Sequence, residues 1–162
     1  MLRNLGEVEI NKQAKLSEHF SLGELCKTTY HPLDGNIPSH VAIENLRNLC
    51  ENWLEDLREE YNRRYEESVD IPVVITSGYR SEEVNRLCGG AKGSNHLTGC
   101  AVDIRCAGPE QLIRYSSILL DIADGTHQEF DELIHEKRGT TYWLHFAVRP
   151  SNNRRKILFD MR

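Results

Sequence analysis

No stretch of this 162-residue chain approaches the length of apolar run that a membrane-crossing helix needs. An excess of basic residues is missing too: the net charge is -5 and the pI is near 5.8, which leaves no electrostatic footprint for nucleic acid or an anionic membrane surface. The cluster Arg154-Arg155-Lys156 reads as a solvated end. There is no fixed-period repeat and no low-complexity tract, so the length is read as one domain with a real core. The segment Met1 to Lys15 carries Glu7 and Glu9 and lacks the apolar centre of a secretion signal. The expectation is a protein made soluble in the cytoplasm, with residues 1–15 as an N-terminal extension, residues 16–162 as the domain, and a monomeric state. Five cysteines are an odd number and none forms a C-x-x-C pair, which argues against a disulfide framework. All five are read as small buried apolar residues. Cys100 is the one weighed as a thiol nucleophile, and it is set aside because strand alternation turns it away from Asp103.

What is present is concentrated in Ser94-Asn95-His96-Leu97-Thr98-Gly99-Cys100-Ala101-Val102-Asp103. Gly99 permits a sharp turn after His96. The extended segment that follows places Ala101, Asp103 and Arg105 on one face and Cys100, Val102, Ile104 and Cys106 on the other. A second histidine, His145, lies in the apolar run Tyr142-Trp143-Leu144-His145-Phe146-Ala147-Val148, where an imidazole is either buried and hydrogen-bonded or used as a ligand. Two imidazoles and one carboxylate make a complete three-ligand set for a catalytic zinc, with the fourth position open. If His96, Asp103 and His145 converge, the chain is a hydrolase.

The string S-x-H-x-x-G-x-A-x-D is preceded by Ile75-Thr76-Ser77-Gly78-Tyr79-Arg80-Ser81 and followed by Phe130-Asp131-Glu132-Leu133-Ile134-x-Glu136 and Trp143-Leu144-His145. Together with Glu18-His19-Phe20-Ser21-Leu22-Gly23-Glu24-Leu25, these motifs resemble the zinc D-alanyl-D-alanine carboxypeptidases. The likeness is to their compact branch, often encoded by phages and prophages, whose fold is shared with the Hedgehog signalling domain. The resemblance implies that His96, Asp103 and His145 bind one zinc ion, with Glu136 as general base and Glu132 in reserve. A hairpin turning at Arg138-Gly139-Thr140-Thr141 is taken to favour Glu136. The resemblance also implies that Arg80 contacts an oxyanion or the substrate, and Ser94 and Tyr79 join it as substrate-binding residues. The implied substrate is a peptidoglycan stem peptide, cut at a terminal D-alanine or at an internal bond after release to the cell wall. A non-catalytic zinc module and a phage structural component of the same fold are the alternatives.

The coarse reading is α+β, with helices first and a mostly antiparallel sheet later. A short helix spans Ser21 to Thr28, with Ser21 and Glu24 in a capping box. A long helix starts at Ser39 with Ile43, Leu46, Cys50, Trp53, Leu54, Leu57 and Tyr61 as its inward stripe. Ile71 to Thr76 is expected as a strand, Ser81 to Cys88 as a helix, Ala101 to Arg105 as a strand and Pro109 to Asp124 as a helix. Phe130 to Lys137 and Tyr142 to Arg149 form a hairpin, and Lys156 to Phe159 an edge strand.

Overall fold

Helix-forming signals act where the sequence places them. In the computed structural model, which describes residues 10–66 and 68–162, Ser21 caps α1 (Leu22–Leu25) and the reciprocal bond from Glu24 is made. Ser39 accepts from the Ala42 N–H at 3.1 Å and starts α2 (His40–Leu49). The chain continues through a π-helical turn, Cys50–Leu54, into α3 (Glu55–Tyr65). Leu46, Cys50, Trp53, Leu54 and Leu57 are fully buried and Tyr61 nearly so. The π turn was not anticipated. It coincides with the seat of Trp53, whose ring packs 5.0 Å from that of Phe146 on the sheet.

Strand β1 (Ile75–Ser77) is shorter than expected. Ile71 spends its N–H and C=O on the Asn62 side chain of α3, at 2.8 and 3.0 Å, so the start of the expected strand is held by a helix, and contact with the neighbouring strand begins only at Val74, whose carbonyl accepts from the Arg105 N–H at 2.9 Å. Ser81 caps α4 (Glu82–Leu87). A 3-10 helix, Asn95–Thr98, leads into β2 (Ala101–Cys106), and Pro109 occupies the first turn of α5 (Pro109–Thr126), where a missing N–H costs nothing. The hairpin of β3 (Glu132–Arg138) and β4 (Thr141–Ala147) pairs Arg138 with Thr141. Gly139 takes the left-handed conformation at that turn, φ 59°.

The sheet runs β1-β2-β4-β3-β5, with β5 (Lys156–Met161) parallel to β3 and every other pair antiparallel. The fold is thus α+β with a mostly antiparallel sheet. Val102, Ile104, Leu133, Leu144 and Phe146 are fully buried in the core that the sheet shares with α2, α3 and α5. Alternation sends Asp103, Glu132, Ile134, Glu136, Trp143 and His145 to the opposite face, where they line a cleft.

Two further expectations change. Cys88, just after α4, is exposed, while Cys26, Cys50, Cys100 and Cys106 are buried as read. Ile10 and Ala14, placed in the N-terminal extension, pack against the core, and Ala14 O accepts from the Leu22 N–H at 2.8 Å. Residues 1–9 of that extension, including Glu7 and Glu9, lie outside the described residues. Among the described residues, no helix is long and apolar enough to cross a membrane.

Candidate metal centre and its cleft

The 3-10 helix that carries His96 is built by its ends. Ser94 Oγ accepts from the His96 N–H at 3.2 Å, and Gly99 closes the helix at φ 72°. A Cβ at Gly99 would collide with the Ala42 carbonyl oxygen of α2, so both the angle and the space demand glycine. Gly78 approaches the Leu25 carbonyl in the same way, and its own carbonyl lies 2.6 Å from His96 Nδ1. With Nδ1–H donated there, the Nε2 lone pair is turned towards Asp103.

Asp103 on β2 pairs directly with His145 on β4. One carboxylate oxygen, Oδ1, sits 3.4 Å from His96 Nε2 and 3.1 Å from His145 Nδ1. A tetrahedral ion with bonds of about 2.0–2.1 Å separates its ligand atoms by roughly 3.3–3.4 Å, so the spacing fits such an ion. The three side chains are buried and their ligand atoms lie within 4.8 Å of one another. Burial alone would raise the Asp103 pKa, but the two imidazoles outweigh it and hold the carboxyl well below the usual range. Burial likewise pulls His145 down, yet its hydrogen bonds with Asp103 and Glu132 push it up to about 9. Metal capture at this imidazole therefore competes with a proton.

The other oxygen of Asp103 is taken by Arg80. Arg80 Nη2 donates to Oδ2 at 3.0 Å and Nε donates to Ser77 Oγ at 3.0 Å. The arginine lines the cleft, but these bonds make it a brace for a metal ligand. The other sequence-derived residues are placed as follows. Ser94, His96, Asp103, Glu136 and His145 line the same cleft of about 560 Å³ as Arg80. Tyr79 does not; its ring is partly buried against the core, and its N–H donates to Leu25 O at 2.7 Å. Cys100 is buried with its thiol pKa raised by that burial, which is no setting for a nucleophile.

The two candidate base carboxylates are not separated by the hairpin. His145 pairs with Ile134, and Glu132 and Glu136 stand two residues to either side of it on the same face. Nearness to the turn therefore decides nothing. Hydrogen bonding does distinguish them. Glu132 Oε1 lies 3.3 Å from His145 Nε2 and accepts from Asn95 Nδ2 at 2.6 Å; these contacts lower its pKa against the pull of burial. Glu136 has its pKa raised, first by burial and then by the charge of Asp103.

A supporting network escaped the sequence reading. Asp131, fully buried, accepts from Arg154 at 2.8 and 3.0 Å and from Asn95 at 2.8 Å, and Arg149 Nε donates to Asn95 Oδ1 at 2.9 Å. Arg154 is not a free solvated end. The available signal was a carboxylate set between Phe130 and Leu133 in an apolar run, which cannot be buried without a partner. Arg80, Arg138, Arg149 and Arg154 all reach the cleft wall.

No curated protein matches the chain. The family model described as Peptidase M15 matches residues 18–136, a span that takes in the Arg80 turn, His96, Asp103, Glu132 and Glu136 and ends before His145. With that match over most of its length, the chain belongs to the Peptidase M15 family.

Proposed function

We propose that this chain is a zinc peptidase that hydrolyses D-amino-acid-containing peptide bonds in peptidoglycan stem peptides, of the compact type encoded by phages and prophages. The observation that carries the reading is the convergence of His96, Asp103 and His145 beside one half-buried carboxylate, Glu136, in a cleft walled by arginines. Two imidazoles and a carboxylate are a donor set suited to zinc, and three protein ligands leave a position open. A zinc ion held there supplies Lewis acidity towards water and towards a scissile carbonyl. The residues of the chain do the rest. Gly78 O and Glu132 fix the two imidazoles in orientation. Glu136, held closer to neutrality than an ordinary carboxylate, takes the proton of the attacking water and passes it to the leaving amine. Arg80 keeps Asp103 in place and presents its remaining edge to the substrate, with Ser94 on the same wall. Tyr79 contributes to recognition only through the turn that carries Arg80.

The arginines also bear on substrate choice, since a guanidinium fork favours carboxylates. A stem peptide with a free carboxylate near the scissile bond is expected to be preferred over its amidated form. The test is metal analysis of the purified protein together with hydrolysis of stem peptides ending in free and amidated D-alanine. One zinc per chain and faster cleavage of the free acid are expected. A chain that takes no zinc sinks the proposal. Equal rates on both peptides remove the terminal carboxylate from the reading and leave an endopeptidase cutting inside the stem.

A further inference from the structure

The strand β5 ends the sheet and leaves Ile157, Leu158, Phe159 and Met161 exposed at 42 %, 41 %, 70 % and 45 %, Leu158 on the cleft face and the other three on the opposite face. A row of exposed apolar side chains on a sheet edge is a feature that soluble proteins normally suppress. The inner edge is fully used. The Lys156 N–H donates to Asp131 O just ahead of β3, the Arg162 N–H donates to Lys137 O of β3, and Arg162 O accepts from Gly139. By strand alternation, Lys156, Leu158, Asp160 and Arg162 therefore point their backbone groups at β3, while those of Ile157, Phe159 and Met161 point outward, where no other strand pairs with them among the described residues.

We infer that this edge binds a second copy of the chain, β5 against β5 and antiparallel about a two-fold axis through Leu158. Hydrogen-bond parity allows only registers that pair outward residues with outward residues. Two of these overlap most of the strand. Centred on Phe159, the pairing sets Lys156 against Arg162, two like charges. Centred on Leu158, it sets Ile157 against Phe159 in hydrogen-bonded pairs, and Lys156 against Asp160 on both sides of the axis. The latter pairs are of the non-hydrogen-bonded kind, where side chains come closest. The strand is thus complementary in charge to itself in one register and repelled in the other, as an isologous interface requires. Asp160, already bound by Arg162 of its own chain at 2.8 Å, gains a second cation. Ile157, Leu158 and Phe159 are covered without a partner of different chemistry, while Met161 stays at the end of the paired stretch.

The geometry has a consequence for the cleft. Leu158 pairs with Ile134, which lines the cleft, so both side chains stand on the cleft face of the sheet. A two-fold axis perpendicular to the sheet keeps that face on one side in both copies. Two clefts then open onto one surface, an arrangement suited to a polymeric or cross-linked substrate that both can engage at once. The pairing itself does not depend on what the cleft binds.

The experiment is sedimentation equilibrium of the full chain over a wide concentration range, with charge variants and a cysteine probe. Wild type should reach the mass of a dimer. Lys156→Glu and Asp160→Lys should each weaken association by about tenfold or more, because two attractive cross-strand pairs become repulsive, and the double variant should restore it. Leu158→Cys, placed opposite itself at a spacing that a disulfide spans, should form a covalent dimer on mild oxidation. Cys88→Ser is included in that variant because Cys88 is exposed. A monomer at every concentration overturns the inference, whether the edge stays bare or takes some other occupant. So does a dimer that Lys156→Glu strengthens, or one that Leu158→Cys fails to cross-link.

Discussion

Asp103 divides its two oxygens between different tasks, and the residues around it follow from that division. Oδ2 is held by Arg80, which leaves Oδ1 as the single ligand atom facing both imidazoles. His145 divides its nitrogens in the same sense, Nδ1 towards Asp103 and Nε2 towards Glu132. A carboxylate on the far nitrogen of a metal-binding imidazole fixes its tautomer and raises its basicity, and losing such a partner typically costs 10–100-fold in metal affinity. The two glutamates should therefore fail in different ways. Glu136→Gln should keep its zinc and lose about a hundredfold or more in hydrolysis, the usual contribution of a positioned base. Glu132→Gln should bind zinc about tenfold more weakly and recover most of its rate when zinc is supplied in excess. Zinc titration beside initial rates separates the two. A Glu132→Gln enzyme that is fully loaded and dead would exchange their roles.

At the scale of elements, the site depends on a close contact between the His96 turn and α2. Gly99 ends the 3-10 helix at φ 72° against the Ala42 carbonyl, and Asn45 of α2 donates to Thr98 O at 2.9 Å. Gly99→Ala must accept both a left-handed angle and a collision with backbone, a combination that costs on the order of 1–3 kcal/mol. At about 2–4 °C per kcal/mol for a chain of this size, thermal unfolding should shift down by several degrees. Zinc should restore part of the loss if the turn reforms around His96. A substitution that leaves the melting temperature unchanged would mean that the turn relaxes freely away from α2. Turn, cap and helix stripe were all legible in the sequence because each depends on neighbours within a few residues. The short β1 was not, because Ile71, expected to begin that strand, gives its backbone groups to the Asn62 side chain of a helix.

At the scale of the whole molecule, Asp131 ties the start of β3 to the His96 loop through Asn95 and to the segment before β5 through Arg154. Burial would raise its pKa, but the bonds from Arg154 and Asn95 outweigh it and hold the carboxyl at about 2. The unfolded value is about 3.9. Above that value both states are ionised and the contribution to stability is fully present. As the pH falls below it, the unfolded chain takes up a proton that the folded chain refuses, so stability drops until the folded carboxyl titrates near 2. Denaturant unfolding measured through this window should steepen with acid in the wild type. Asp131→Asn should be less stable at neutral pH and show a shallower acid slope; an unchanged slope would place the acid-sensitive pairing elsewhere.

The sequence by itself determined the fold class, the helices, the hairpin and the three residues that converge in the cleft, since hydrophobic period, caps and turn glycines are local properties and the motif residues sit at the ends and centres of those elements. It could not decide between Glu132 and Glu136, because both lie on one face at equal distance from the residue opposite His145. Nor could it show that Arg80 spends itself on Asp103, that Tyr79 faces the core, or that Arg154 reaches the buried Asp131. Each of those outcomes rests on a hydrogen bond or contact between residues more than twenty positions apart, and only the packing of the sheet against its helices brings such groups within reach.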